Sequence, residues 1–352
     1  MAQIILGPKN RLQKISGGIN SNVYVCSKES LSCVIKEYPI MERSSHDRLQ
    51  SEIEFLGFAS KVTVGKVPKV IGISPEERCI AMEYIEGKKM GAGDLPTKYD
   101  IEDAVRFLED LNTEKELARK MIHMQAKDGF VSITEHLLCL TERVEKMSVG
   151  HLSIRYRDDA SKVVETIKQK LEFVSEGVQN ALASEKISNL IDSNSLRVSP
   201  SDFGFHNAIK TGSGFVFIDF EFAGWDDPAK IAVDFILQPR NPVTRQLTTV
   251  MRRLTTSQQF EHKRLYIILK ILLVKWHCII MSSLDASRAS QLQLAFGTSS
   301  IDDIFLIQLE RLKNYELGLK TRWKRLIVAG IEENDGEENE TWKRLISMGV
   351  GK

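Results

Sequence analysis

The sequence predicts a two-lobed α+β protein, with a small antiparallel-sheet lobe at the N-terminus and a larger, mainly helical lobe after it. Three observations predict this. The first ninety or so residues carry short runs rich in β-branched residues, broken by polar turns. Beyond Gly87 the apolar residues change to three-to-four spacing. Within that helical part, residues 195–220 return briefly to strand-like runs.

In order, Ser21–Cys26 and Leu31–Tyr38 read as strands joined by the polar Ser27–Ser30 turn. Asp47–Ser60 reads as a helix, with Leu49, Ile53, Leu56 and Ala59 on one face. Lys69–Ile73 and Cys79–Tyr84 complete the small sheet around the turn Ser74-Pro75-Glu76-Glu77. A Gly- and Lys-rich connector, KKMGAGDLPTK, follows Gly87. Helices are then expected over Glu102–Asn112, Thr113–Gln125, Ile133–Lys146 and Asp158–Ser184, and again from Val243 to about Ile327. Between them, Ser195–Ser199, Asn207–Lys210 and Phe215–Phe220 are strand-like. The expected organisation is a lobe over 1–87 with a connecting hinge at 83–87, a helical lobe over 88–330 holding the loop 199–221, and an acidic linker with a final helix over 331–352. Trp323-Lys-Arg-Leu-Ile327 recurs as Trp342-Lys-Arg-Leu-Ile346; two five-residue copies do not make a solenoid.

Bulk composition narrows the function class. With 352 residues the chain can bury a full core. Its 48 basic and 47 acidic residues leave a net charge of +1, too little field to hold a nucleic-acid backbone. The five cysteines (Cys26, Cys33, Cys79, Cys139, Cys278) form no C-x-x-C pair, so they read as buried thiols of a reducing, cytoplasmic setting. Leu265–Met281 contains Lys270, Lys275 and His277 and is too short to span a bilayer, so it reads as a buried helix. No nucleic-acid or membrane partner is expected, and the chain is expected to be a monomer or homodimer.

The most informative stretch is SPSDFGFHNAIKTGSGFVFIDFE, Ser199 to Glu221. Asp202 and Asn207 lie five apart on a loop, and a hairpin through the turn Thr211–Gly214 would bring Asp219 back beside Asn207. Asp and Asn are common turn residues, so each alone would be unremarked. Three oxygen-bearing side chains at one end of a ribbon fit a magnesium ion completed by substrate phosphates, with one carboxylate left to orient a hydroxyl.

A second group lies upstream. In Ile15-Ser-Gly-Gly-Ile-Asn-Ser-Asn-Val-Tyr24, Gly17 and Gly18 allow backbone N–H groups to approach phosphates, with Ser21 following. Lys36 stands in the apolar run Val34-Ile35-Lys36 and needs an acidic partner; Glu52 on the next helix is the first choice and Glu54 the alternative.

Together these motifs resemble the aminoglycoside phosphotransferase and choline kinase family of small-molecule kinases, which share a protein-kinase-like fold, over residues 12–325. The resemblance implies Asp202 as catalytic base, Asn207 and Asp219 as magnesium ligands, and Lys36 paired with Glu52. It implies ATP, with GTP as the other candidate donor, together with Mg2+, and a small-molecule hydroxyl acceptor such as a sugar, an aminoglycoside-like compound or an amino alcohol. Ala81-Met-Glu-Tyr-Ile-Glu-Gly87 resembles the family's hinge, where backbone groups of Glu83 and Ile85 would meet the nucleotide base. Gly224-Trp-Asp-Asp-Pro228 with Ala232 and Asp234 resembles the segment after the metal aspartate, with Asp234 bracing the loop. The family's His-Gly before the base is Pro200-Ser201 here. His206 offers part of the missing contact, although packing is the commoner fate of such a histidine.

Other candidates carry less. His123, His136 and His277 fall in helical apolar patterns and read as core or boundary residues; Glu135, His136 and Arg143 lie where the family builds its acceptor pocket. Trp225 and Trp276 read as core before they read as pocket walls. A nucleotide-binding scaffold without turnover is the rival reading, supported by Pro200-Ser201. A protein kinase is disfavoured because Asp219-Phe220-Glu221 lacks the D-F-G glycine.

Overall fold

The computed structural model describes residues 11–15, 21–28, 31–40, 46–184, 187–255 and 262–326. The chain forms two compact units. The first joins Met1–Gly129 to Leu196–Val243, and the second joins Phe130–Ser195 to Thr244–Lys352. The first therefore gathers the predicted sheet lobe together with the loop 199–221.

In the first unit, strands β1 (Arg11–Ile15), β2 (Asn22–Lys28), β3 (Leu31–Glu37), β4 (Val70–Ser74) and β5 (Cys79–Glu83) form an antiparallel sheet in the order β1-β2-β3-β5-β4. Cys26, Cys33, Ile35, Cys79 and Ala81 are buried together beside Tyr24, and the three cysteines there are free thiols. Helix α1 (Arg48–Val62) starts at Asp47, whose carboxylate accepts from Gln50 N and pairs with Arg78. It buries Leu49, Ser51, Glu52, Phe55, Leu56, Phe58 and Ala59.

After β6 (Lys88–Lys89), helix α2 (Lys98–Asp110) begins four residues earlier than the sequence predicts. Thr97 and Asp100 close a capping box there, just after Pro96. Helix α3 (Lys115–Met121) ends four residues sooner than expected, because Met124–Ala126 bond to Trp225 rather than continue a helical turn. Strands β8 (Ala208–Thr211) and β9 (Gly214–Phe217) form the predicted hairpin, extended by β6 on the far side of β8. Strand β7 (Arg197–Ser199) pairs with β10 (Gly224–Asp226). The Asn112 side chain holds β7 from its other side, donating to Val198 O and accepting from Val198 N. Helix α6, numbered after α4 and α5 of the second unit, spans Pro228–Leu237 and is buried at nine of its ten residues.

The second unit is helical: α4 (Ile133–Glu145), α5 (Ile154–Ala183), α7 (Leu247–Thr255), α8 (His262–Ile280), α9 (Ala289–Phe296) and α10 (Ile301–Leu326). Its core contains an ion cluster, in which Lys170 donates to Glu316 at 2.9 Å and lies 2.9 Å from His277 Nε2. The Arg264 guanidinium donates to the carbonyls of Val131, Ser188 and Asn189. No helix among the described residues is long and apolar enough to cross a membrane. The second copy of the WKRLI pair, Trp342–Ile346, lies outside the described residues.

Candidate active site

Two anchoring side chains place the central loop. Phe203 and Phe205 alternate with Asp202, Gly204 and His206, and both phenylalanines enter the core. Phe203 packs on Phe107, Phe217 and Phe235, and Phe205 on Phe215 and Phe235, with ring centroids 4.9–5.9 Å apart. Such pairs contribute about 0.5–1.5 kcal/mol each beyond their burial. The loop is thereby held by its apolar residues, and its polar ones are left to the site.

Asp202 keeps 45 % of its side chain exposed. Its carbonyl accepts from Asn207 Nδ2 at 3.0 Å, so Asn207 spends its amide nitrogen on the loop and keeps its oxygen for a ligand. Ile218 N donates to Asn207 O at 2.9 Å, which brings the end of the β9 hairpin to Asn207 and sets Asp219 next in line. The backbone is left-handed just before Asp202 and at Asp219: Ser201 has φ +65° and Asp219 φ +73°. Left-handed backbone costs a non-glycine residue about 1–2 kcal/mol. Around Ser201, Pro200 is buried, Ser201 N donates to Ser199 Oγ at 3.0 Å, and Ser201 Oγ lies 3.4 Å from Lys127 O.

Lys36 is the centre of the charge network. Its ammonium donates to Glu52 at 2.8 and 3.1 Å and to Asp219 Oδ1 at 2.8 Å. Glu54 instead accepts from the backbone of His123 and Met124, so Glu52 is the partner of Lys36. Lys36 is 7 % exposed and Glu52 fully buried, whereas Asp219 is 41 % exposed. Asp219 is thus the member of the network that a ligand can reach. Burial alone would lower the lysine, but Asp219, Glu52 and Glu221 outweigh it and raise the ammonium above its ordinary range. Burial pushes Asp219 up, and Lys36 more than reverses this, holding it below the usual carboxylate value. Glu52 stays raised, because burial and the Asp219 charge exceed what Lys36 returns.

Glu221 and Ser51 also belong to this centre, and neither was singled out in the sequence. Glu221 is buried with Oε2 unpartnered, and burial together with Asp219 raises its carboxyl to about 7. Ser51 Oγ donates to Ala223 O, and His46 Nε2 lies 2.9 Å from Ser51 Oγ and 3.1 Å from Glu221 O. Glu52 Oε1 accepts from Phe220 N, and Phe55 stacks on Phe220 at 4.4 Å. Helix α1 and His46 just ahead of it therefore grip residues 220–223 at four points.

The remaining predicted residues are placed as follows. Gly17 and Gly18 lie outside the described residues, and Ser21 is buried just before β2. Glu83 ends β5 with its N–H committed to Lys69 O, and Ile85 lies in the segment between β5 and β6. His206 is close to Asp202, with Nε2 3.2 Å from Oδ1. His123 is exposed after α3 rather than in a helical face. Trp225 Nε1 donates to Ile122 O, and Lys230, buried, pairs with Asp226 and Asp234. In the second unit Glu135 is spent on the cap of α4, and His136 packs edge-on against Phe130. Among the described residues no three His, Cys, Asp or Glu side chains cluster as a metal cage. Asn207 and Asp219 supply an amide oxygen and a carboxylate, a donor pair that suits a hard cation retaining water and phosphate ligands.

No protein-family model matches the sequence, and no curated protein matches it. Solved structures do match the fold. A choline kinase from Cryptosporidium parvum Iowa II aligns with a TM-score of 0.54 at 15 % identity, covering 95 % of this chain and 93 % of that one. Spectinomycin phosphotransferase, in an AMP-bound complex, aligns with a TM-score of 0.56 at 12 % identity over 86 % of this chain and 95 % of that one. A thermostable aminoglycoside phosphotransferase, in ternary complex with AMP-PNP and hygromycin B, aligns with a TM-score of 0.50 at 12 % identity over 91 % and 96 %. The chain therefore has the kinase-like fold of small-molecule kinases such as these.

Proposed function

We propose that the chain is an ATP-dependent phosphotransferase that moves the γ-phosphate onto a hydroxyl of a small molecule. The observation that carries this reading is the buried Lys36 ammonium shared between Glu52 and the part-exposed Asp219. A lysine held this way is a fixed cation for phosphate oxygens. The nucleotides in the matched structures support the donor: spectinomycin phosphotransferase is bound to ADP in one and AMP in another. ATP is the expected donor, and GTP is the second one to test.

In this reading Asn207 and Asp219 hold Mg2+, which when bound would neutralise charge on the phosphates. Lys36 positions the phosphates, and Glu52 keeps the lysine in place. Asp202 accepts a hydrogen bond from the acceptor hydroxyl, orients it in line with the γ-phosphorus, and takes its proton as the new O–P bond forms and the bond to ADP breaks. Backbone groups of Glu83 and Ile85 are the proposed contacts of the base. Most of the rate then comes from positioning and electrostatics.

The test is transfer of label from γ-labelled ATP across a panel of sugars, amino alcohols and aminoglycosides, with ADP formation followed in parallel. A labelled acceptor is expected, with Asp202→Asn slowed by about 10²–10⁴-fold. If neither labelled acceptor nor ADP forms while nucleotide still binds, the scaffold reading replaces this one.

A further inference from the structure

Asp202 stands on a loop with nearly half its side chain exposed, and a base in that position needs something to fix it. Among the described residues the side chain that reaches its carboxylate is His206, whose Nε2 lies 3.2 Å from Oδ1. His206 itself is 8 % exposed and is confined from several sides. Phe205, fully buried against Phe215 and Phe235, fixes the backbone of the short 3-10 turn Phe205–Asn207. Gln238, at the end of α6, places its Nε2 3.3 Å from His206 Nε2. The Gln238 amide cannot turn over freely, because its oxygen accepts from Arg240 N at 2.7 Å. Gly204 completes the enclosure: a Cβ there would come within 2.9 Å of His206 Nδ1 and 2.8 Å of Gln238 Cγ.

The proton count assigns the ring. Nδ1 is buried and has no hydrogen-bond partner. An orphaned buried N–H is rarer than an orphaned lone pair, and an N–H aimed at a carboxylate is a strong, charge-assisted bond. The arrangement we assign therefore has the proton on Nε2, 3.2 Å from Asp202 Oδ1. The other tautomer would let Nε2 accept from Gln238 Nε2 at 3.3 Å, at the cost of a buried N–H on Nδ1 with no partner.

We propose that His206, walled in by Gln238 and Gly204, is the positioning residue of Asp202: it holds Oδ1 and leaves Oδ2 to the acceptor hydroxyl. This rests on the phosphotransferase reading. It assigns a side chain on the far side of the base to a task that Pro200, which has neither an N–H nor a polar side chain, cannot perform.

The test combines kinetics with a spectrum of the unmutated chain. Turnover of magnesium-ATP is measured with whichever acceptor the panel identifies, or with water when none does. In His206→Ala, kcat is expected to fall by about 10–100-fold while KM for ATP stays within about twofold, as for a misplaced catalytic group. His206→Gln, which keeps an N–H donor, recovers most of the loss. In the unmutated chain, the ¹⁵N–¹H spectrum of the His206 ring is expected to show the proton on Nε2, with a signal that moves in Asp202→Asn. A proton on Nδ1, or a His206→Ala chain that turns over ATP like the unmutated one, overturns the assignment and leaves the kinase reading standing. If His206→Ala no longer binds ADP, the ring spectrum decides alone. An unmutated chain without turnover overturns the kinase reading, and this role falls with it.

Discussion

Glu221 is the residue whose charge state the fold perturbs most usefully. Its carboxyl is raised from 4.5 to about 7, chiefly by burial and then by Asp219. Between those values the native state keeps a proton that the unfolded chain releases. Stability contributed by this carboxyl therefore falls as pH rises from about 4.5 to 7 and is level above that. Glu221→Gln removes the dependence, so relative to the unmutated chain it should gain on the order of 1–3 kcal/mol between pH 5 and pH 8. Urea denaturation at the two pH values checks this; an equal effect at both would contradict it. At this scale the Lys36–Glu52 pair was legible, because a lysine in an apolar run needs an acidic partner, and the return of Asp219 toward Asn207 was legible from the hairpin between them. Glu221, Ser51 and Gln238 were not. Their roles come from what packs against them, and Glu221 reaches Asp219 through a turn with a left-handed Asp219, which no hydrophobic period announces.

Helix α1 and the segment 219–227 work as one element. Three contacts from the helix and one from His46 ahead of it reach residues 220–223, and the backbone of 222–225 is bonded on its other side to residues 124–127. Gly224 makes that second contact possible: with φ +158°, a Cβ there would fall 2.5 Å from the backbone of residues 124–126. Gly224→Ala should force the two segments apart and cost about 1–3 kcal/mol, read as a lower denaturation midpoint; an unchanged midpoint would contradict this. The sequence revealed the strands of the sheet, helix α1 and the β8–β9 hairpin from period and turn chemistry. It did not reveal α6, which is buried almost all round and so shows no polar face to give it a helical period. The predicted helix over Thr113–Gln125 ran too far for a related reason: residues 124–126 bond to Trp225, a hundred residues away.

At the scale of the whole molecule, the two units carry different kinds of buried charge. The first concentrates it around Lys36, where Asp219 stays open to a ligand. The second closes Lys170, His277 and Glu316 into the core between α5, α8 and α10. Burial pushes Glu316 up, but bonds to His277 and Lys170 prevail and bring it to about 2. Its stabilisation is complete above the unfolded value of 4.5 and is lost as pH falls toward 2. Lys170→Met leaves Glu316 buried without its lysine and should destabilise the second unit by about 3–5 kcal/mol. Hydrogen exchange in α5, α8 and α10 reads this; protection equal to that of the unmutated chain would contradict it. Fold class was legible at this scale because it follows from the order of β-rich and helical stretches. The division into units was not, since residues 196–243 join the first unit across the intervening segment 130–195, which belongs to the second.

The proposed phosphate transfer at Asp202, Asn207 and Asp219, served by Lys36, is decided by turnover. The most direct measurement is ADP formation from magnesium-ATP, in the presence of the acceptor panel, by the unmutated chain and by Asp202→Asn under conditions where both bind nucleotide. Phosphotransfer predicts turnover in the first and a loss of about 10²-fold or more in the second. Equal rates in the two chains, or none in either, would contradict it.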